Sequence, residues 1–199
     1  MKDKIIFFIL LIGVITVFIF VQKNNKKSQP LYTAAEVVKT EATPIPTIAT
    51  SFMDSPDGTK SLTLEEQNGS QSLFVSSLPD GQRVEIYKKQ ISNLIKLEIP
   101  YNTWSPDNVY IFLKEKEPSI ENYFVFQSSG TLFLNNLPFV SIQELFGKDV
   151  PSYVIEDVTG WAGPNLLIVN TKAKDSEQKA SFWFDVPSQS FIQLGTYFK

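Results

Sequence analysis

The sequence predicts an all-β domain made of three antiparallel repeats and preceded by one apolar helix. Short runs of β-branched and aromatic residues alternate with Gly, Pro, Asn, Asp and Ser clusters beyond residue 51, which is typical of antiparallel hairpins. A turn motif recurs at Ser55, Ser105 and Ala162, so the repeat length is about 50 residues. The uncharged segment Ile5–Val21 predicts the helix.

This apolar segment predicts a transmembrane helix over residues 5–22, behind a short tail at 1–4. A helix satisfies its own backbone hydrogen bonds, which lipid cannot do. At about 1.5 Å per residue the segment spans roughly 25 Å, and the stems of Lys4 and Lys23 extend it toward the bilayer core of about 30 Å. We therefore expect a single-pass membrane protein.

Two alternatives to an anchor are open for these residues. A secretory signal peptide usually has an apolar region of about 7–15 residues and is cleaved between small residues. Here the apolar segment is longer and the polar residues 22–27 follow it, so an uncleaved signal anchor is favoured. A buried core helix is disfavoured because the segment is apolar all round and lies at the extreme terminus.

The flanking charges leave the orientation open. Lys23, Lys26 and Lys27 follow the segment, and the positive-inside rule would place them in the cytoplasm. A large domain behind an N-terminal anchor and a spacer is, however, the usual layout of an exported domain. We expect the C-terminal domain to be extracytoplasmic.

Residues 23–51 predict a linker that is rich in Pro and Thr in its second half. That composition favours an extended, polyproline-like spacer. The alternative is an edge strand over Thr47–Phe52 that pairs with the domain. The β domain is expected over residues 52–199, with repeats at about 52–100, 101–150 and 151–199.

The recurring turns share their chemistry. Proline fixes φ at the second turn position, Asp bonds to the local backbone, and Gly or Asn tolerates a positive φ. A Trp precedes the second and third turns, whereas Asp54 precedes the first. The residues of this pattern are Ser55, Pro56, Asp57 and Gly58, then Trp104, Ser105, Pro106 and Asp107, then Trp161, Gly163 and Pro164.

Three strands are predicted behind each turn. A capping box at Ser141–Glu144 also predicts a short helix that stops at Gly147. The first strands are predicted at 61–66, 109–114 and 166–171, the second at 72–77, 123–128 and 181–186, and the third at 83–88, 131–136 and 191–196.

A unit of about 50 residues with three or four antiparallel strands is a β-propeller blade. The string Trp104–Asp107, with Ile111 and Phe112 behind it, resembles the repeat of TolB-type and WD40-like propellers. The resemblance covers about residues 52–199 and implies three propeller-like blades. It also implies that 95–101 and 153–158 are inner strands leading into the second and third repeats. Because propellers close with about four to eight blades, it implies a partial or open propeller, or blades completed by another chain. Another all-β sandwich is the alternative fold.

Composition excludes several kinds of site. The chain has no Cys and no His, so thiolate chemistry, cysteine-ligated zinc and Ser-His-Asp triads are impossible. Five lysines precede residue 28, although the whole chain carries a net charge of −3, so the remainder is strongly acidic. An acidic domain repels a phosphate backbone, and we expect no nucleic-acid partner.

The carboxylate groupings predict no catalytic residue, metal site or cofactor. Neighbours in a strand point to opposite faces, so Glu65–Glu66 and Glu156–Asp157 do not converge locally. Asp54 and Asp57 lack the order of a calcium loop. We expect no enzyme.

The aromatic residues Tyr101, Trp104, Tyr123, Trp161 and Trp183 could form a surface on which sugars or peptides stack. Trp104 and Trp161 recur at one repeat position, which favours packing between blades. Trp183 lies within Phe-Trp-Phe, so it is the candidate for a surface contact.

The leading hypothesis is a membrane-anchored, non-enzymatic interaction module that binds a protein or envelope component. The second is a structural subunit of a membrane assembly that completes its sheet by self-association, because an open stack exposes sheet edges and faces. A carboxylate-based glycan hydrolase is a remote third and requires convergent carboxylates in a cleft.

Overall fold

The structure, a computed structural model, describes residues 49–92 and 94–198. The predicted tail, transmembrane helix and most of the linker lie outside these residues. Within the described part, no helix is long and apolar enough to cross a membrane. A strand begins at Ala49, so the edge strand that the sequence offered as an alternative is observed over the end of the predicted linker.

The domain consists of three separate antiparallel sheets, each with four strands in consecutive order. The all-β prediction is confirmed. The first sheet contains β1 (Ala49–Asp54), β2 (Lys60–Gln67), β3 (Ser70–Ser77) and β4 (Arg83–Gln90); the second contains β5 (Lys96–Glu98), β6 (Tyr110–Lys116), β7 (Glu121–Gln127) and β8 (Phe139–Ser141); the third contains β9 (Tyr153–Gly163), β10 (Leu166–Ala173), β11 (Lys179–Asp185) and β12 (Ser190–Gln193).

Local sequence explains the hairpins. In β2, Leu62 and Leu64 are buried and alternate with more exposed polar residues, the period of a strand with one covered face. The turn to β3 has Asn68 and Gly69 with φ of 51° and 74°. Two consecutive positive φ values match a two-residue turn whose twist suits a hairpin.

The second sheet packs against a neighbour on each face. Ile111 and Leu113 lie in a buried cluster with Leu62 and other residues of the first sheet. Phe112 and Val125 point the other way and lie in a cluster with residues of the third sheet. Alternate residues of one strand thus supply two different cores.

Buried polar groups reinforce the contact between the first and second sheets. The Gln71 side-chain amide donates to the Leu97 carbonyl at 3.1 Å, and its oxygen accepts from the Leu97 N–H at 2.7 Å. Lys89 of β4 pairs with Glu115 of β6, whose side chain is 3% exposed. The first sheet therefore contributes polar as well as apolar partners to the second.

One predicted strand is wrong. Residues 131–136 form turns instead, and the fourth strand of the second sheet is the short β8. Asn136 has a φ of 62° and its N–H donates to the Phe133 carbonyl at 2.8 Å. The apolar alternation in 131–136 therefore does not indicate a strand. Pro138 has no N–H to donate to a neighbouring strand, and β8 begins only after it.

The observed boundaries of other elements also differ from the predicted ones. β5 covers only part of 95–101, because Pro100 cannot donate to a continuing ladder. The helix, α1 (Ile142–Asp149), begins where predicted, with the Ser141 hydroxyl accepting from the Glu144 N–H at 3.3 Å. It continues past Gly147, since Phe146 packs edge-on against Phe182 and anchors the last turn.

The outward faces of the first and third sheets differ. The first sheet presents Ser61, Thr63 and Glu65 outward from β2, opposite in direction to the buried leucines. The third presents a row of apolar side chains across three strands, since Ile168 pairs with Trp183 and Trp183 with Ile192. The C-terminal segment covers the neighbouring row, where the Phe198 N–H donates to Ser181 Oγ at 2.9 Å and the Phe198 carbonyl accepts from Asn170 Nδ2 at 2.6 Å.

Candidate binding cavity

The first two repeat turns carry the same hydrogen-bond network. In the first, the Ser55 hydroxyl donates to Asp57 Oδ1 at 2.7 Å, and Ser55 Oγ accepts from the Lys60 N–H at 2.9 Å. In the second, the Ser105 hydroxyl donates to Asp107 Oδ1 at 2.6 Å and accepts from the Tyr110 N–H at 2.9 Å. Each serine thereby fixes the start of the following strand.

The Asp57 carboxylate also accepts from the Thr59 N–H at 3.0 Å and from the Thr59 hydroxyl at 2.9 Å. The Ser55 hydroxyl, followed by these Thr59 groups, lowers the pKa of Asp57 to about 2. The carboxylate therefore stays ionised while the turn is intact.

The third turn is built differently. Gly163 pairs with Leu166, so Pro164 and Asn165 form a tight connection between β9 and β10. The Asn165 carbonyl accepts from the Val186 N–H at 3.0 Å. Ala162 stands where the other turns have serine, and it has no hydroxyl to repeat their network.

Trp104 and Trp161 form equivalent contacts between neighbouring sheets. Trp104 Nε1 donates to the Met53 carbonyl at 3.0 Å, and Trp161 Nε1 donates to the Thr103 carbonyl at 3.1 Å. Met53 and Thr103 each lie two residues before the serine of a repeat turn. Each indole thus reaches the same backbone position in the preceding repeat.

Asn102 also links the second repeat to the third sheet here. Its side chain donates to the Thr159 carbonyl at 3.2 Å. Gly160 has a φ of 140°, and a Cβ added there would lie 2.9 Å from Asn102 Cβ. Only glycine fits at this position.

These residues border an open cavity of about 590 Å³ beside the C-terminal end of β1, the connection between β5 and β6, and the second half of β9. Its size falls within the range of small-ligand sites, about 300–1,000 Å³. All three sheets contribute to its lining, which consists of Met53, Asp54, Pro56, Tyr101, Asn102, Trp104, Pro106, Thr159, Gly160, Trp161 and Ile168.

The aromatic lining combines fixed and free rings. Trp104 is buried, and Trp161 stacks at 18° on Tyr110, with 6.2 Å between the ring centroids. Tyr101 is 85% exposed. A ligand in the cavity would meet two positioned indoles and one free phenol ring.

The nitrogen donors of the lining are largely used within the protein. The Trp104 and Trp161 indoles each donate their one N–H to a backbone carbonyl, and Asn102 donates one of its two. Asp54 is the single charged residue of the lining. Within the described residues, no lysine or arginine forms an ion pair with it.

A second cavity of about 330 Å³ adjoins the first and shares Tyr101, Asn102 and Thr159 with it. The Tyr123 hydroxyl lies 3.0 Å from Glu121 Oε2 and 3.0 Å from Asp157 Oδ1. Burial, followed by the Asp157 and Glu121 charges, raises the pKa of Tyr123 well above its ordinary value. Tyr123 therefore holds two carboxylates together as a neutral hydroxyl.

Glu121 does not have the electrostatics of the acid of a glycan hydrolase. Such a site needs one carboxyl with a raised pKa to act as the acid. Lys114 Nζ lies 2.6 Å from Glu121 Oε2 and holds the pKa of that carboxyl below its usual range. Lys114 also lies 3.9 Å from Asp157, so the cluster has the character of an ion-pair network.

The other carboxylate pairs separate as predicted. Glu65 pairs with Arg83 at 2.8 Å, and Glu66 with Lys96 at 3.2 Å. Glu156 pairs with Lys179 at 2.8 Å, away from the bond between Asp157 and Tyr123. No group of three or more carboxylates in the described part of the chain is arranged to hold a metal.

Trp183 lies outside both cavities, in the outward row of the third sheet. The side chain is half-buried, and its indole N–H is buried without a hydrogen-bond partner among the described residues. The predicted surface contact at Trp183 remains a prediction.

The sequence identified part of the cavity lining. Trp104, Trp161, Pro56 and Pro106 belong to the repeat motif, and Tyr101 was named among the aromatic candidates. Asn102 and Thr159 were missed, since a polar residue at a strand end carries no signal without its neighbours. The close approach of Gly160 to Asn102 also left no signal in the sequence.

The comparisons with known proteins leave the family open. No family model matches the chain, and no curated protein matches it. One similar solved structure is described as a structural and mechanistic analysis of two prolyl endopeptidases; the match has 15% identity and a TM-score of 0.42 and covers 74% of this chain. The chain spans only 22% of that protein's length. At this TM-score the likeness carries no argument.

Proposed function

We propose that the chain is a membrane-anchored, non-enzymatic interaction module that binds a protein or envelope component in the cavity beneath Tyr101. The carrying observation is the cavity itself, where the three repeats place two indoles, a free phenol ring and one carboxylate together. Aromatic residues dominate the energetics of recognition sites because they bury a large area at low entropic cost.

The three sheets are, in this proposal, propeller-like blades of a partial or open propeller. Each sheet is a consecutive four-stranded meander. The Trp104 and Trp161 indoles make the same contact with the preceding repeat, which supports a regular rotation from blade to blade. The cavity then occupies one end of the axis around which blades are arranged.

A binding role suits the lining better than catalysis does. Asp54 is its one charged group, and the chain has neither imidazole nor thiol to act as a nucleophile or base. In the adjoining cavity, Glu121 pairs with Lys114, and Asp157 accepts a hydrogen bond from Tyr123. The anchor, residues 5–22, would present this cavity at the membrane surface.

Tyr101→Ala tests the proposal. The full chain, solubilised in mild detergent, is immobilised and panned against a library of short random peptides. Peptides selected by the wild type should bind Tyr101→Ala at least about tenfold more weakly, the effect of losing an aromatic anchor worth ~1.4 kcal/mol. Because Tyr101 is 85% exposed, its truncation should not affect folding.

Phe52→Ala is the matched control, since this aromatic residue is 69% exposed on β1 and outside the cavity. It should bind the selected peptides as the wild type does. Selected peptides that bind Tyr101→Ala and the wild type equally would place recognition elsewhere and contradict the proposal.

A structural subunit that self-associates is the second candidate. The outward row Ile168, Trp183 and Ile192 favours it, because Ile192 at the edge of the row is 49% exposed. Light scattering on the full chain should then show an oligomer that Ile192→Glu converts to monomer. A wild-type monomer at high concentration would rule this candidate out.

A further inference from the structure

We propose that the cavity beneath Tyr101 recognises the guanidinium of an arginine side chain in a peptide. This inference rests on the proposed function and specifies the chemistry of the ligand. It combines the hydrogen-bonding balance of the lining, its charge and its shape.

The hydrogen-bonding balance favours a ligand that donates. The Trp104 and Trp161 indole N–H groups both donate to backbone carbonyls of the protein, and the Asn102 amide uses one of its two N–H bonds in the same way. The Asp54 carboxylate has two acceptor oxygens, and it faces the cavity without a cationic partner in the described residues. A guanidinium has five N–H donors and no acceptor.

The charge of the cavity lining favours a cationic ligand. Asp54 is the one charged group of the lining, so an anionic ligand would meet repulsion with no lysine or arginine to offset it. The neutral alternative, a sugar, presents hydroxyls that accept as well as donate. Such a ligand would leave the negative charge of Asp54 without a counter-charge.

Shape favours a planar group on an apolar stem. Guanidinium stacks on aromatic faces and pairs with carboxylates through two parallel hydrogen bonds. One face of Trp161 stacks on Tyr110, and the exposed Tyr101 ring has no aromatic neighbour among the described residues. Pro56 and Pro106 of the repeat turns add apolar walls for the methylene stem of arginine.

Blocked tripeptides that differ by one group test the inference. Ac-Ala-Arg-Ala-amide is compared with the same peptide containing citrulline, which has the shape of arginine without its charge. Binding to the full chain in detergent is followed by tryptophan fluorescence. A Trp183→Phe background leaves Trp104 and Trp161 as reporters, because the chain has three tryptophans.

The arginine peptide should bind at least about tenfold more tightly than the citrulline peptide. Asp54→Asn should reduce that ratio to near one and leave citrulline binding unchanged. Asp175→Asn is the matched control, because this exposed carboxylate lies in the connection between β10 and β11. It should preserve the ratio and thereby exclude a general attraction to the acidic domain.

Two results would overturn the inference. Equal binding of both peptides, weakened alike by Tyr101→Ala, would mean that the cavity binds without selecting charge, and the proposed function would stand. No binding of either peptide at about 10 mM would remove arginine as the ligand. The proposed function would then be judged by the Tyr101→Ala panning alone.

Discussion

The indoles of Trp104 and Trp161 connect each sheet to the one before it. Their acceptors, the Met53 and Thr103 carbonyls, lie at one repeat position, so a single residue type performs the same task twice. The sequence predicted a packing role for both, because they recur at the same place in the motif. Neither the donor nor its acceptor could be predicted, since the preceding sheet supplies the carbonyl.

The first turn gives a residue-level prediction for acid. The pKa of Asp57 is about 2 in the folded protein, below its ordinary value of 3.8. Its ionised form therefore stabilises the fold above about pH 4, and this stabilisation is lost as pH falls toward 2. Urea unfolding of Asp57→Asn should show a shallower loss of stability across that interval.

Part of the acid dependence should persist in Asp57→Asn, because the Ser77 hydroxyl and then the Gln82 N–H also lower the pKa of Asp80. Asp175→Asn, in the connection between β10 and β11, should retain the wild-type profile. An Asp57→Asn profile identical with that of the wild type would contradict the role given to this turn.

A second residue-level prediction concerns the pair of Lys89 and Glu115. Glu115 is 3% exposed and also accepts from Asn122 Nδ2 at 3.2 Å. Lys89→Met leaves this carboxylate buried without its cation. It should lower the free energy of unfolding by about 2 kcal/mol, less than for a wholly buried pair because Lys89 is 29% exposed.

Denaturant titration measures the effect, and Lys89→Met/Glu115→Leu is the control. Because removing both partners leaves no unpaired charge, the double variant should recover most of the lost stability. A double variant less stable than Lys89→Met would show that the pair itself holds the first two sheets together.

At the scale of elements, strand pairs joined by short turns were predictable, and the inner strands were less so. Asn68–Gly69 and the alternation in β2 define a hairpin from local residues alone. β5 has three residues, and its position depends on the Gln71 amide of another sheet. Elements whose partners are distant in sequence leave little local pattern.

Gly160 gives the prediction for an element, β9. Its φ of 140° disfavours any side chain, and a Cβ would lie 2.9 Å from Asn102 Cβ. Gly160→Ala should therefore lower the free energy of unfolding by about 1–3 kcal/mol. Displacement of Asn102 should also weaken ligand binding in the cavity.

Gly195→Ala is the matched control for thermal and denaturant unfolding. A Cβ at Gly195 meets no atom within 4 Å, so stability should be unchanged. An equally stable Gly160→Ala would mean that the second and third sheets tolerate separation at this point.

At the scale of the whole molecule, the sequence predicted three β repeats, and the structure has three four-stranded sheets. The periodicity of the sequence could not predict how the three sheets pack against one another. The outward Ser61 and Thr63 of β2 and the inward Ile111 and Leu113 of β6 show that equivalent strands meet different surroundings. The cavity lining comes from all three sheets, and local sequence holds little of that convergence.

The orientation of the chain yields the whole-molecule prediction. A reporter active only outside the cytoplasm, fused behind residue 199, should be active if residues 5–22 export the domain. The same fusion without residues 1–27 should be inactive. An inactive full-length fusion of normal abundance would contradict recognition of an envelope component.

β1 joins the linker to the cavity, and this has a mechanical consequence. The chain enters the domain at Ala49, whereas Asp54 at the other end of the strand lines the cavity. If residues 5–22 anchor the chain and the cavity holds a ligand, as proposed, tension between the two would run through β1. Its six register pairs with β2 would then bear that load together in shear, rather than opening one at a time.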